Sequence, residues 1–167
     1  RPYQTHVLHN RESDAIINSL EYSKIYQQEN IFPLFVPCYL DGRDGVFNKN
    51  YYETFIGSDL GIFPSYYEPW GYTPLESLAF CIPTITTNKA GFGLWIDNGK
   101  MNLNDGAVII DRTEDNLDSL ASNIADHIQS FLKISPEGVV KARENAAQLS
   151  HKALWINLLG HYFEAYN

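Results

Sequence analysis

The chain has 167 residues and a net charge of -8, with 44% hydrophobic and 19% charged residues. Such a composition is typical of one soluble globular domain with a buried core. No apolar run approaches the roughly 20 residues that cross a bilayer, which argues against a membrane protein. No basic cluster is longer than a pair, which argues against nucleic acid as a partner because backbone binding needs a stripe of Lys and Arg. An acidic chain can still bind a phosphate group at a helix N-terminus.

Two cysteines, Cys38 and Cys81, lie among apolar residues. Their spacing from the histidines matches no zinc site, so no metal is expected. We therefore expect two buried thiols in a protein of the reducing cytoplasm, where disulfides are rare.

Helical and strand-like segments alternate along the chain. Periodicity and end signals predict helices over 13–28, 47–59, 73–81, 113–132, 135–150 and 151–167, and strands over 60–65, 83–88 and 106–111. Ser13 or Asp14 is the expected N-cap of the first helix. Residues 30–40 form another apolar run with β-forming residues, which two prolines should confine to a sheet edge or end early. The alternation predicts an α/β fold, a parallel sheet with helices on both faces.

The segment "YYEPWGYTPLE", residues 66–76, follows the strand at 60–65 and therefore lies at the ligand-binding edge of such a sheet. Thr73, Pro74 and Glu76 have the order of a capping box, with Thr73 as N-cap and Glu76 as the third helical residue. Glu76 can serve as a cap, a ligand contact or both. Gly71, Tyr72 and Thr73 would present backbone N–H groups at the helix start, which suits a diphosphate.

Glu68 precedes a proline, so its backbone should be extended, and it follows two tyrosines. A carboxylate among aromatic rings in a loop at this edge suits a sugar, whose C–H faces stack on rings and whose hydroxyls donate to the acid. The segment "KAGFG", residues 89–93, should lie at the same edge, one strand over. Gly91, Phe92 and Gly93 form either a plain strand-to-helix turn or a loop whose amides close over a ligand.

The strings "IFPSYYEPWGYTPLE" and "IPTITTNKAGFG" carry a specific resemblance to the C-terminal region of eukaryotic-type glycogen synthases, and weaker similarity extends over most of the chain. The resemblance implies the GT-B arrangement, in which two Rossmann-like domains face a cleft. Residues 1–167 would be a partial C-terminal nucleotide-sugar-binding domain, with C-terminal helices from about 135 to 167. The N-terminal domain would be absent, and the chain would cover roughly the last third of the enzyme.

The resemblance also implies an activity, the retaining transfer of glucose from UDP-glucose to the non-reducing end of an α-1,4-glucan, without a cofactor or metal. By similarity, Glu68 is the catalytic residue that faces the donor glucose, and Glu76 accepts from the ribose hydroxyls. Tyr72 and Thr73 would line the diphosphate. The remaining donor contacts implied by the motif are Gly71, Trp70 and Tyr51, the last stacking on the base, with Tyr52 in its place if the register shifts by one.

The chain departs from the family pattern in two respects. The Arg and Lys that hold the donor phosphates in the family lie upstream of this sequence, so the chain alone is expected to be inactive. The arginine-rich helix that senses glucose 6-phosphate in animal and fungal members corresponds here to a segment with only Lys141 and Arg143. Regulation by that ligand is therefore expected to be absent, which suits a bacterial member.

Two other functions remain open. One is another retaining GT-B transferase of the ADP-glucose, sucrose or mannosyl type, against which the Trp-Gly-Tyr string within the motif argues. The other is a non-catalytic module that binds glucan or nucleotide. The expected partners of the full-length protein are the nucleotide sugar and an α-glucan, and homo-oligomerisation is left open.

Overall fold

The computed structural model describes residues 4–97, 99 and 101–166. The chain divides into two compact units, Arg1–Gly57 and Ser58–Asn167.

In the first unit, helix α1 spans Ala15–Ser23. Asp14 caps it, because its carboxylate accepts from the N–H groups of the first turn, and this confirms one of the two predicted caps. The helix ends earlier than predicted at Lys24, whose left-handed backbone (φ 50°) stops the helical hydrogen bonding. Short 3-10 helices flank it at Arg11–Ser13 and Ile25–Gln27.

Residues 30–40 do not form a strand of a sheet. Phe35 alone pairs with Gln4, in an isolated parallel bridge. Pro33 and Pro37 flank Phe35 on both sides, and each lacks the N–H group that a ladder requires. The prolines were predicted to end this strand early, and within the described residues only the bridge at Phe35 forms.

The loop over residues 41–50 precedes helix α2, Tyr51–Phe55, and side-chain hydrogen bonds stabilise it. Partial desolvation raises the pKa of Asp44, but hydrogen bonds from the backbone N–H groups of Phe47, Val46 and Asn48 lower it, and the net pKa lies below the ordinary value. Asn50 forms a capping box with the third residue of α2, which starts the helix later than predicted.

The second unit is built on a three-stranded parallel sheet in the order β1-β2-β3. The strands are β1 (Gly61–Phe63), β2 (Thr84–Thr87) and β3 (Ala107–Ile110). Strand β2 is fully buried, as expected of a central strand. Strand β1 lies at the edge of this sheet, and its residue Ile62 is 38% exposed.

Five helices accompany these strands: α3 (Tyr72–Ala79), α4 (Gly91–Ile96), α5 (Leu117–Phe131), α6 (Pro136–Lys152) and α7 (Trp155–Tyr166). A 3-10 helix, Leu103–Asp105, leads into β3. The last predicted helix ran to Asn167, which lies outside the described residues. No helix in the described part of the chain has both the length and the apolar character of a membrane span.

Successive residues of β3 point to opposite faces of the sheet, and each face has its own core. Val108 and Ile110 pack in one cluster with Leu120 and Phe131 of α5. Ala107 belongs to the second cluster, with apolar side chains of the helices on the other face, Leu78, Phe92, Ala146 and Leu149. The molecule therefore has the predicted α/β fold, a Rossmann-like parallel sheet with helices on both faces.

Both cysteines are free thiols, but the prediction that both are buried is wrong. Cys81 is exposed, because the chain leaves α3 there through a left-handed turn (φ 59°). Cys38 is half-buried, with its sulfur 3.5 Å from Nδ1 of His6.

Candidate functional site

The loops that follow β1 and β2 lie side by side at the carboxyl edge of the sheet. The N–H of Glu68 donates to the carbonyl of Lys89 (2.9 Å), and the carbonyl of Glu68 accepts from the N–H of Gly91 (3.1 Å). The N–H of Phe92 donates to the carbonyl of Trp70 (2.6 Å). The two segments that the sequence placed on neighbouring strand ends are thus joined by backbone hydrogen bonds.

Glycines make this close approach possible. A Cβ on Gly91 would collide with the carbonyl oxygen of Pro69, and a Cβ on Gly93 would collide with that of Thr87. Gly91 and Gly93 also lie in the first turn of α4. Of the two alternatives for "KAGFG", the segment therefore forms the strand-to-helix turn. The N–H groups of Gly91 and Phe92 already donate to the loop after β1, so this turn fixes the two loops of the site to each other.

The carboxylate of Glu68 is half-buried and has a fixed neighbour. The hydroxyl of Ser65 donates to its Oε2 (3.1 Å), and the carbonyl of Ser65 accepts from the hydroxyl of Thr87 (2.7 Å). The position that a Cβ would take on Gly71 lies 3.6 Å from the same Oε2 atom. The carboxylate therefore lies beside the start of α3.

Helix α3 begins two residues earlier than the capping box predicted. Gly71 is the N-cap, with φ 107°, a conformation that glycine adopts at low cost. No side chain caps the helix, so the predicted capping box of Thr73 and Glu76 is wrong. Glu76 is instead the fifth helical residue and half-buried.

The uncapped start of α3 has the properties of an anion site. Tyr72 and Thr73 are the first two helical residues, and both are exposed. The N–H groups of a first helical turn have no partner within the helix, and the helix dipole adds a positive field there. Glu68 and the residues predicted to bind the diphosphate thus lie next to one another.

Trp70 and Phe92 pack into the second core cluster. Their rings meet edge to face at a centroid distance of 5.7 Å, and Trp95 lies 5.7 Å from Trp70. Phe92 is completely buried, so its side chain is a core residue and cannot contact a ligand. Trp70 is half-buried in the same cluster.

Tyr51 belongs to the first unit, where it is the first residue of α2. Its ring stacks on Phe55 at 5.2 Å and meets Tyr52 edge to face at 5.3 Å. The side chain is 37% exposed, which leaves part of the ring accessible.

A third loop, which follows β3, contributes Arg112, a residue that the sequence analysis missed. Its Nη1 donates to the carbonyl of Pro64 (2.5 Å), and its guanidinium lies 4.8 Å from the centroid of the Tyr66 ring. Its backbone N–H donates to Asn88 in the loop after β2 (2.9 Å). Arg112 lies two residues after β3 and directly after the strand predicted over 106–111, so its position at this edge was a signal available in the sequence.

No group of three or more acidic, histidine or cysteine side chains within the described residues is arranged to hold a metal ion.

A family model described as "Glycogen synthase" matches residues 1–167. The chain is 29% identical over 169 residues to glycogen [starch] synthase isoform 1 of Saccharomyces cerevisiae, with 98% of this chain and 24% of the relative covered. It is 30% identical over 167 residues to glycogen [starch] synthase of Neurospora crassa, with the same coverage. The liver glycogen [starch] synthase of Mus musculus is 29% identical over 166 residues, which cover 98% of this chain and 23% of that protein.

The chain therefore spans about a quarter of the length of the curated relatives it matches. The family model, in contrast, matches it from the first residue to the last. The two strings on which the sequence resemblance rested form the paired loops at the carboxyl edge of the sheet. The chain belongs to the glycogen synthase family.

Proposed function

We propose that this chain is the donor-binding part of a glycogen synthase, a retaining glycosyltransferase that moves glucose from UDP-glucose to the non-reducing end of an α-1,4-glucan. In this proposal the chain is part of the C-terminal domain of a GT-B protein, and the acceptor-binding N-terminal domain is contributed by the rest of the full-length protein. We further propose a cytoplasmic location.

One observation carries the proposal, the position of the Glu68 carboxylate beside the uncapped N-terminus of α3. Donor chemistry needs both features. The sugar hydroxyls can donate to a carboxylate, and the departing diphosphate gains negative charge that a helix N-terminus stabilises. Because the helix supplies this field, the proposal requires no metal ion.

Individual roles follow from this arrangement. Glu68 faces the donor glucose, and the backbone at Gly71, Tyr72 and Thr73 faces the diphosphate. The proposal includes no covalent intermediate on Glu68, because a front-face mechanism retains the anomeric configuration without a protein nucleophile.

Glu76, the fifth residue of α3, is proposed to accept from the ribose hydroxyls. The stacking of Tyr51 on the base rests on the sequence resemblance alone, and part of its ring is accessible within the first unit. Trp70 supports the site by packing beneath the loop. Gly93 is buried in the first turn of α4, so the proposal assigns it no contact to the sugar.

The proposal is tested by replacing Glu68 in the full-length protein. Glu68→Ala should lower glucosyl transfer from UDP-glucose by at least about a hundredfold, the size of effect that follows loss of one electrostatic group in an active site. The exposed Glu29 supplies a control of the same type, and Glu29→Ala should keep normal activity. Near-normal transfer by Glu68→Ala would contradict the assignment. Wild-type protein that binds nucleotide but transfers no glucose would favour the non-catalytic alternative.

Calorimetry of the full-length protein with UDP and with ADP tests the donor. The proposal expects tighter binding of UDP. Tighter binding of ADP would favour an ADP-glucose enzyme instead, and equal affinities would remove the support for a UDP-specific site.

A further inference from the structure

We propose that Cys38 and His6 form a modification site in the first unit, at which a hydroperoxide oxidises the Cys38 thiol to a sulfenic acid. This chemistry does not depend on the transferase function proposed above. The sulfur of Cys38 lies 3.5 Å from Nδ1 and 3.7 Å from Nε2 of His6. A thiol at hydrogen-bonding distance from an imidazole can pass its proton to that base and become a thiolate, which is the reactive form of cysteine.

A backbone carbonyl fixes which nitrogen of His6 carries the proton. Nε2 lies 2.7 Å from the carbonyl oxygen of Asp44, and because that oxygen can only accept, Nε2 donates. In the neutral ring Nδ1 then has a free lone pair, and Nδ1 is also the nitrogen nearer to the sulfur. A nucleophile, a base and a group that orients the base are therefore all present.

The hydroxyl of Thr5 can stabilise both protonation states of the ring. It lies 2.7 Å from Nδ1 of His6 and 3.4 Å from the carbonyl oxygen of Phe35. When the ring is neutral, the hydroxyl donates to Nδ1. When Nδ1 has taken the proton of Cys38, the hydroxyl accepts from Nδ1 and donates to Phe35. Proton transfer to His6 therefore keeps Nδ1 hydrogen-bonded.

The backbone holds His6 beside Cys38 before any oxidant arrives. Gln4 forms a parallel bridge with Phe35, and the N–H of Thr5 donates to the carbonyl of Phe35 (3.0 Å). The side-chain amide of Gln4 donates to the carbonyl of His6 (2.9 Å). These bonds fix the N-terminal segment against the segment that carries Cys38, so the base does not have to be ordered during the reaction.

The partial burial of the thiol favours a small oxidant. Cys38 is half-buried, which leaves part of its surface open to hydrogen peroxide. The other cysteine of the chain, Cys81, belongs to the second unit, so the first unit offers no second thiol for a disulfide. The expected product is therefore a sulfenic acid, which an added thiol reduces again.

The oxidation step balances in atoms and electrons. The thiolate of Cys38 attacks one oxygen of hydrogen peroxide, so that an S–O bond forms and the O–O bond breaks. The leaving hydroxide takes the proton from the His6 imidazolium and departs as water. The sulfur is oxidised by two electrons, the peroxide is reduced by two electrons, and His6 returns to its neutral form.

The test treats the full-length protein with hydrogen peroxide and traps sulfenic acid with dimedone, and peptide mass spectrometry measures the rate at each cysteine. Cys81 is the internal control, because it is exposed and no hydrogen bond in the described part of the chain involves its sulfur. Cys38 should react about tenfold faster than Cys81, although it is the more buried of the two. Access alone predicts the opposite order.

A substitution of His6 tests its role as the base. His6→Gln should lower the rate at Cys38 by about tenfold and leave the rate at Cys81 unchanged. Glutamine can still donate to the carbonyl of Asp44 but offers no base. His9→Gln is the matched control, because His9 is exposed in the same unit, and it should change neither rate. The thermal midpoint of each variant shows whether the fold is kept.

Oxidation of Cys38 that is no faster than that of Cys81 in the wild-type protein would overturn the proposal. A folded His6→Gln variant whose Cys38 reacts at the wild-type rate would also overturn it. If His6→Gln lowers the thermal midpoint, the ratio of the two rates in the wild-type protein still decides, because that comparison needs no substitution.

Discussion

Glu68 is held by its own loop and by the loop of the neighbouring strand. Ser65 donates to its Oε2 at 3.1 Å, and Thr87 fixes the backbone of Ser65 through a 2.7 Å hydrogen bond. A carboxylate that must face a sugar gains from such support, because a side chain free to rotate would spend part of its time in unproductive orientations.

Ser65→Ala in the full-length protein should therefore lower kcat by about fivefold, which corresponds to one hydrogen bond of about 1 kcal/mol. The KM for UDP-glucose should stay unchanged, because Ser65 is not placed on the donor. Steady-state kinetics measure both constants. Ser122→Ala is the matched control, since the hydroxyl of Ser122 donates only within α5. An unchanged kcat would indicate that Glu68 does not depend on this hydrogen bond.

Single residues of the site were predictable to different degrees. Gly71 and Glu68 followed from the strand-to-helix turn and the extended residue before a proline. The capping box at Thr73 failed because the left-handed backbone of Gly71 (φ 107°) turns the chain into the helix two residues earlier. Arg112 was missed because its role depends on contacts with a loop 48 residues away, which no local pattern encodes.

Among the elements, helices and strands with clear periodicity were predicted well, and two segments were not. The run 30–40 has β-forming residues, but Pro33 and Pro37 prevent a ladder. Helix α4 was not among the predicted helices, and the two glycines in its first turn disfavour a helix. Those glycines are required by the backbone of the neighbouring loop, a tertiary contact that overrides propensity.

Gly91→Ala should separate the two loops of the site. The added methyl group would meet the carbonyl oxygen of Pro69, so either the loop pairing or the start of α4 must shift. We expect a loss of about 1–3 kcal/mol in the free energy of unfolding, the usual cost of overpacking, and a matching fall in thermal midpoint. The midpoint of the full-length protein, followed by scanning fluorimetry, measures the effect.

Gly160→Ala is the matched control for this substitution. Gly160 lies within α7, and apart from its own helix backbone and chain neighbours nothing lies within 4 Å of the position of its Cβ. Alanine there should be neutral or stabilise by about 0.5–1 kcal/mol, because alanine favours a helix. Equal midpoints for Gly91→Ala and wild type would show that the loops can separate without cost.

In the second unit, Arg143 of α6 forms hydrogen bonds with segments that are distant in the sequence. Its Nη2 donates to the carbonyl of Ser58 (3.2 Å) and to the carboxylate of Asp59 (2.9 Å), and its Nη1 donates to the carbonyl of Cys81 (3.3 Å). These contacts join α6 to the residues that precede β1 and to the turn after α3. Arg143 and Lys141 are the two cations of the segment that the sequence resemblance matches to the arginine-rich helix of the family. The absence of regulation by glucose 6-phosphate stays a prediction, and the engagement of Arg143 in these contacts is consistent with it.

Arg143→Leu should therefore destabilise the protein. Loss of hydrogen bonds to two carbonyl groups and one carboxylate should lower the free energy of unfolding by about 1–2 kcal/mol, with little of this from the ion pair. The ion pair contributes little because the Asp59 side chain is 82% exposed. Lys141→Leu is the control from the same helix, because the Lys141 ammonium forms a surface pair with Glu144 at 3.5 Å and 62% of its side chain is exposed. It should change stability by less than about 0.5 kcal/mol. Denaturant unfolding at 0.15 M and 1 M salt separates the contribution of the ion pair with Asp59 from that of the hydrogen bonds to the carbonyls. High salt screens the ion pair more than those hydrogen bonds. If Arg143→Leu and Lys141→Leu unfold at the same denaturant concentration, Arg143 does not join these segments energetically.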